Sequence, residues 1–243
     1  MPVRPSDILR ILLNMIAIIA DIHGNYPALK AVLKDIESSD INEIYSLGDV
    51  AGYYSMINEC IELLRNKGIP NIMGNHDYYL TNSESCPRSN AANSCLNFQR
   101  KIVTLENVKW LKESLPLIEM RDMRMVHGGW RDYREEYIYN AEEAYFTNME
   151  GKYFFSGHTH VQFLKKFDVK TYCNPGSIGQ PRDGDNRAAY ALIDNEKGEI
   201  ILKRVCYPID EIALHMKISG FSAYFYENLY NGSRIGGIID KIK

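Results

Sequence analysis

The stretch Ile16-Ala17-Ile18-Ile19-Ala20-Asp21-Ile22-His23-Gly24-Asn25 decides the reading of this 243-residue chain. Its first five residues are apolar and rich in β-branched isoleucine, the pattern of a strand buried on both faces. An acid and an imidazole follow where that strand ends, and Gly24 lets the backbone turn there. The arrangement recurs. Ile44-Tyr45-Ser46-Leu47 runs into Gly48-Asp49, and Ile69 to Met73 runs into Gly74-Asn75-His76-Asp77. Met123 to Val126 leads to His127-Gly128, and Tyr153-Phe154-Phe155 leads to Gly157-His158-Thr159-His160. Donors at strand ends fit the rule that α/β sheets bind ligands at the carboxyl edge of their strands.

Helical patterns separate the runs. Pro27 to Ile36 carries Leu29, Val32, Leu33 and Ile36 at helical spacing, with Pro27 near the start. Met56 to Asn66 repeats this with Ile57, Ile61, Leu63 and Leu64. The chain therefore opens β-α-β-α-β, the pattern of a sheet with crossover helices. Ser89 to Val103 reads as a weaker helix, and Thr104 caps a helix over Leu105 to Ser114 with Val108 and Leu111 inward. Tyr190 to Ile193 and Ile200 to Val205 read as a strand pair, and Ile209 to Met216 and Ser222 to Tyr230 as two short helices. Two facing sheets with helices outside are expected. The Asn/Ser-rich stretch from Thr81 to Ser94 reads as a surface loop.

Each motif alone is weak: Gly-Asp is commonly a turn, and a lone histidine is commonly a packed or surface residue. Their joint placement carries the chemistry. The motifs supply Asp21, Asp49, the Asn75 amide and the imidazoles of His23, His76, His127, His158 and His160, five of the six histidines in the chain. Such mixed oxygen and nitrogen donors suit two borderline divalent cations, Mn, Fe, Co, Ni or Zn. Ions about 3.5–4 Å apart activate water and clamp a phosphoryl group, so the first reading is a two-metal phosphoesterase.

In its order of motifs the chain resembles the calcineurin-like metallophosphoesterase superfamily, and within it the small prokaryotic and archaeal phosphodiesterase-like branch. The stretches from Ala20 to Asn25, from Gly48 to Tyr53 and from Asn174 to Gly184 carry the branch likeness, which runs from about Met15 to Gly232. The resemblance implies a four-layer α/β/β/α sandwich. It implies that Asp21, His23 and His160 hold one metal, that Asn75, His127 and His158 hold the second, and that Asp49 bridges both. His76 is then expected to contact the substrate phosphate or protonate the leaving oxygen, oriented by a carboxylate such as Asp49. Its unperturbed pKa of about 6.5 suits a general acid. The implied activity is hydrolysis of phosphate esters, mono- or diesters of a small or nucleotide-like compound, by a metal-activated hydroxide. A non-catalytic metal-bound scaffold of the same fold is the alternative; it loses the His76 position, which is intact here.

The chain departs from the branch at the rim. Gly52-Tyr53 continues into Tyr54-Ser55-Met56-Ile57 rather than a proline-rich segment, and His127-Gly128-Gly129-Trp130 replaces His-Gly-Ser-Pro. Trp130 is thereby a candidate stacking surface, set against plain rim packing. No arginine follows Asp49, as one does in phosphoprotein phosphatases; Arg182, in Pro181-Arg182-Asp183-Gly184, is the candidate replacement, set against a solvated loop residue.

Composition bounds the rest. Net charge is −3, and no basic stripe runs along any predicted element, so a nucleic-acid polymer is not the expected partner. A small anionic substrate is expected, since two divalent ions bring about four positive charges against two aspartates. Five cysteines, odd in number and without zinc spacing, read as free thiols in a reducing cytosol, although Cys86 and Cys95 could close a small loop. His215 reads as a surface helix residue. Ile8 to Ala20 is apolar but shorter than the roughly 20 residues a membrane helix needs. It is interrupted by Arg10 and Asn14, and its second half forms the first strand. Residues 1–14 are read as an N-terminal extension and residues 15–243 as a single domain of a cytoplasmic protein.

Overall fold

The computed structural model describes residues 15–39, 41 and 43–243, so the expected extension over residues 1–14 lies outside the described residues. The chain runs β1 (Met15–Ile19), α1 (Tyr26–Glu37), β2 (Glu43–Ser46), α2 (Ile57–Asn66), α3 (Asn75–Asn82), α4 (Asn90–Ile102) and α5 (Leu105–Lys112). It continues through β3 (Ile118–Met120), β4 (Met123–Val126), α6 (Glu143–Phe146), β5 (Tyr153–Ser156), β6 (Phe163–Lys166) and β7 (Thr171–Asn174). It ends with β8 (Ala188–Asp194), β9 (Ile200–Val205), α7 (Ile209–Ile218) and two 3₁₀ turns, Ala223–Phe225 and Glu227–Tyr230.

Two sheets form, in the orders β2-β1-β8-β9 and β3-β4-β5-β7-β6. In the first, β1 runs parallel to β2 and antiparallel to β8; in the second, β4, β5 and β7 are parallel, with antiparallel β3 and β6 at the edges. The strand period of two sorts side chains between layers. In β1, Ile16 and Ile18 meet Met123, Met125 and Phe155 of the other sheet, while Met15, Ala17 and Ile19 turn toward the α1 and α2 faces formed by Leu29, Val32, Ile57 and Ile61. Neighbours Phe154 and Phe155 of β5 likewise part: Phe155 enters the space between the sheets, and Phe154 joins Phe146 and Tyr172 outside. The result is the expected α/β/β/α sandwich, thin on the second sheet, whose outer face is covered by the single turn of α6 and flanking loops.

Local signals set the helix ends. The Asn25 side chain caps α1 from the Ala28 amide, Ser89 caps α4 from Ala92, and Thr104 caps α5 from Asn107. Three elements depart from the reading of the sequence. Ile69 to Met73 is not a strand: only single bridges remain, Ser46 to Asn71 and Ile72 to Leu115. Pro70 has no amide hydrogen to give to a ladder, and beside β2 the run keeps only the bonds from Ser46 N–H to Pro70 O and from Ile72 N–H to Ser46 O. The Thr81–Ser94 loop shrinks to residues 83–89, because α3 extends through Asn82 and α4 begins at Asn90. Ser222 to Tyr230 is two 3₁₀ turns rather than a helix. His215 is half-buried, with Nδ1 2.7 Å from Ser55 Oγ. All five cysteines are free thiols, Cys206 alone exposed. No helix among the described residues is long and apolar enough to cross a membrane.

Candidate metal centre

The carboxyl ends of β1, β2, β4 and β5 and the start of α3 converge on one point, and each brings a motif with it. Asp21, His23, Asp49 and His160 lie with one donor atom each within 4.8 Å of one another, and Asp49, His127 and His158 do the same. Asp49 is common to both groups. Its Oδ2 lies 3.7 Å from His23 Nε2 and 3.4 Å from His127 Nε2. Asp21 Oδ1 lies 3.6 Å from His160 Nε2, and the Asn75 Oδ1 lies 3.1 Å from His127 Nε2. All these side chains are buried.

Backbone conformation shows what this convergence costs. Among the described residues seven other than glycine have positive φ, and five of them are Asp21 (54°), His23 (52°), Asp49 (56°), His158 (65°) and His160 (61°). Left-handed backbone costs an L-residue roughly 1–2 kcal/mol and concentrates at functional sites. The surrounding backbone holds it in place: Asp21 N–H donates to Gly48 O, His23 N–H to Asp49 O, and His158 N–H to Asp21 Oδ2 at 3.0 Å. Asp77 accepts from the Asp49 amide at 2.9 Å and the Ala51 amide at 2.8 Å, fixing the Asp49 loop from beneath. A Cβ on Gly74 would lie 2.1 Å from Asp49 Oδ1 and 2.3 Å from Asp49 N. Gly74→Ala is therefore expected to displace that loop and lower the melting temperature, by an overpacking cost of about 1–3 kcal/mol. An unchanged melting temperature would show that the loop yields freely.

The imidazoles are oriented for cation binding. Nδ1 of His23, His127 and His160 face the carbonyls of Ala51, Leu47 and Gln180 at 2.7, 2.9 and 2.7 Å. A carbonyl only accepts, so these Nδ1 atoms carry hydrogen and donate. His23 Nε2 and His160 Nε2, both left with lone pairs, then face each other at 3.0 Å. His158 turns Nδ1 inward instead, 3.2 Å from His127 Nε2. Asp49 Oδ2 has no hydrogen-bond partner although fully buried. Opposed lone pairs beside an orphaned carboxylate oxygen fit divalent cations, and the donor set is the borderline N/O mixture such ions take.

Electrostatics agree. Burial pushes His23, His158 and His160 well below the usual imidazole range, so they are neutral ligands in waiting. Burial lifts the Asp21 carboxyl to about 7, with His127 opposing. Burial pushes Asp49 up as well, but the charged His127 ring beside it outweighs this and holds the group well below the carboxylate range. Burial disfavours the His127 cation, but Asp49 overcomes this and raises the ring to about 9.

His76 sits beside the centre, its ring 5.0 Å from that of His23 and 5.2 Å from that of Tyr53. Asp49 Oδ1 accepts from the His76 backbone amide at 2.8 Å, not from the ring, and the ring Nδ1 has no partner. Asp49 thus positions the start of α3, while the ring is held by aromatic neighbours. Arg182 is brought in and buried, not solvated: its Nε and Nη2 donate to Gln180 Oε1 at 3.0 and 2.7 Å, and its guanidinium stands 5.4 Å from the Tyr53 ring. Trp130 is not brought in. It packs edge-on against Phe146 and Phe154, with ring centroids at 5.7 and 5.2 Å, on the outer face of the second sheet. The sequence reading passed over Tyr137, which stacks on His158 at 3.8 Å. It sits in a strandless segment, and only the contrast of a tyrosine-rich run following His127-Gly128 could have marked it.

Known proteins resemble this chain in sequence and fold. The calcineurin-like phosphoesterase superfamily domain matches residues 15–198. An uncharacterized protein of Methanocaldococcus jannaschii is 35% identical over 217 residues, covering 81% of this chain and 89% of the relative. A metallophosphoesterase from Sphaerobacter thermophilus has a similar structure, with a TM-score of 0.80 and 31% identity, covering 90% of this chain and 99% of that one. A hypothetical protein from Pyrococcus horikoshii OT3 shares the fold, with a TM-score of 0.82 and 21% identity over 90% of this chain and 98% of its own.

Proposed function

Because the chain belongs to the calcineurin-like phosphoesterase superfamily, we propose that it hydrolyses esters of phosphate with the help of two divalent metal ions. The observation that carries this reading is the buried, partnerless Asp49 Oδ2 between His23 Nε2 and His127 Nε2. Asp21, His23 and His160 would hold one ion, Asn75, His127 and His158 the other, and Asp49 both. Such a pair of ions supplies a nucleophile from water near neutral pH and neutralises charge on the transferring phosphoryl group.

The protein's own residues do the rest. The Ala51, Leu47 and Gln180 carbonyls fix the imidazole tautomers, so that three Nε2 atoms point inward without rearrangement. His76 lines the adjoining cavity and is the group placed to give a proton to the departing oxygen. Arg182, held by Gln180 and Tyr53 on the same wall, is placed to orient the phosphate. Residues 15–243 act together as one domain in this reading, and Trp130 has no part in it.

Protein treated with chelator is expected to be inactive and to recover with Mn, Ni or Co. The assay is a screen of metal-loaded protein against bis-p-nitrophenyl phosphate, p-nitrophenyl phosphate and a nucleotide panel. Full activity without metal would overturn the proposal, and bound metal with no hydrolysis of any substrate would favour a scaffold.

Metal loading is also expected to release protons. His127 is charged until about pH 9 and Asp21 is part-protonated near 7 in the metal-free protein, and both must be deprotonated to act as ligands. Apparent affinity should therefore rise with pH from 6 toward about 9. Calorimetric titration at pH 7 in two buffers of different ionisation enthalpy measures the release directly. Equal heats in both would mean that no proton leaves.

A further inference from the structure

The catalytic dish continues into a cavity of about 310 Å³ whose wall includes Asn75 and His76 at one end and three arginines, Arg88, Arg182 and Arg234. No aspartate or glutamate lines it. Each arginine is held by a tyrosine of the same wall. Arg182 lies 5.4 Å from the Tyr53 ring, Arg88 lies 5.1 Å from the Tyr137 ring, and Arg234 Nη2 donates to the Tyr139 hydroxyl at 2.6 Å. Arg88 and Arg234 have acidic partners behind them, Glu135 and Asp240. Arg182, 4% exposed, gives its side-chain hydrogen bonds to the neutral Gln180 and to no carboxylate. A guanidinium that bonds to no carboxylate keeps donors free for an anion.

Arg234 belongs to the last part of the chain, beyond the residues matched by the superfamily domain, 15–198. That part is fastened across the cavity by main-chain bonds. Asp240 N–H donates to Arg182 O at 2.7 Å, Lys243 N–H to Tyr139 O at 2.9 Å, and Ala141 N–H to Lys243 O at 3.0 Å. The third arginine is thus delivered by a strap that closes one side of the cavity next to His76.

We propose that this cavity is a second anion subsite, built for a substrate that carries at least one further phosphate beside the ester being cleaved, a di- or polyphosphate compound rather than a simple monoester. The inference rests on the phosphoesterase reading for the position of the reacting phosphate. One charge at the metal centre needs no more than the ions and Arg182. Arg88 and Arg234, with rigid forks suited to phosphate oxygens, have charge to offer only to a longer anion. They act as specificity-determining residues.

The test is calorimetric binding of orthophosphate and of tripolyphosphate to the metal-loaded protein, with free metal held in constant excess. Tripolyphosphate is expected to bind about tenfold to a hundredfold more tightly, the worth of one or two charge-assisted contacts. Arg234→Gln and Arg88→Gln should each remove most of that preference while changing orthophosphate affinity less than about twofold, and Arg234→Lys should keep part of it. Arg88 lies on an exposed loop, so its variant keeps the test open if the Arg234→Gln protein does not fold. Equal affinity for both anions in the unaltered protein would overturn the proposal, as would an equal weakening of both by each variant. Hydrolysis of any of bis-p-nitrophenyl phosphate, p-nitrophenyl phosphate or the nucleotide panel by the same samples separates the two readings. Its absence with the tripolyphosphate preference intact would sink the enzyme reading and leave the subsite standing.

Discussion

Asp49→Ala is expected to empty the metal centre and to reduce phosphoesterase activity more than the loss of any other single ligand. Asp49 alone belongs to both donor groups. Its Oδ2 faces two imidazole nitrogens, and its Oδ1 accepts from the His76 amide. Removing the carboxylate withdraws the charge that sets His127 and frees the first turn of α3, which carries Asn75 and His76. Residues that merely support metal ligands typically contribute 10- to 100-fold in affinity or activity, so a shared ligand should exceed about 100-fold. Metal analysis after gel filtration is the direct measurement. About two ions per chain in the unaltered protein should fall below one in the variant. Retention of two would remove Asp49 from the bridging role.

His76→Ala should behave in the opposite way, keeping the metal and losing rate by roughly 10²–10⁴-fold, the usual worth of a general acid. The ring makes no hydrogen bond through Nδ1 and stands outside both donor groups, so its removal leaves the ligands in place. The deficit should shrink for p-nitrophenyl esters, whose leaving group needs little protonation, and persist for alkyl esters. Burial lowers the His76 pKa below the ordinary imidazole value of 6.5, with Asp49 pulling it back up. The protonated form is therefore lost as pH rises past that lowered value. Turnover of alkyl esters should decline with rising pH already below neutrality, while p-nitrophenyl esters should not follow. An equal loss for both ester types would assign His76 to phosphate binding.

What the sequence revealed and what it hid follow from how each residue's role is encoded. Strands β1 and β5 were legible because burial on both faces demands a near-continuous apolar run, and β4 because Met123, Met125 and Val126 lead directly into the His127 motif despite Arg124 among them. Strands β6 and β7 were not, since Phe163-Leu164-Lys165-Lys166 and Thr171-Tyr172-Cys173-Asn174 are short, mixed in polarity and lie toward an edge. Helix α3 was hidden for another reason: it begins inside a ligand motif, with Gly74 before it, and polar residues fill its first turn. The centre itself was legible because its donors occur as local motifs after strands. The arginine cavity was not, because Arg88, Arg182 and Arg234 come from three unrelated loops, and single arginines are common on surfaces. Trp130, read as either a stacking surface or a rim-packing residue, packs. Three residues of sequence separate it from His127, yet a turn closed by Gly128 N–H to Tyr133 O carries it to the far side of the sheet.

The loop bearing the first ligand is fastened by the late part of the chain. Ser177 Oγ donates to Asp21 O at 2.7 Å, Gly179 N–H donates to the same oxygen at 2.9 Å, and β1 pairs with β8, which begins only at Ala188. Strand β1 therefore waits for a partner strand made much later in the chain. Closing so long a loop is slow, and partial chains expose the unpaired edge of β1 in the meantime. A nascent chain halted before about residue 180 lacks the fastening of Asp21 and the whole of His160's carbonyl anchor at Gln180. This donor set is thus complete only once the chain is made through about residue 180, and an ion bound there would add its binding free energy to the stability of the folded state.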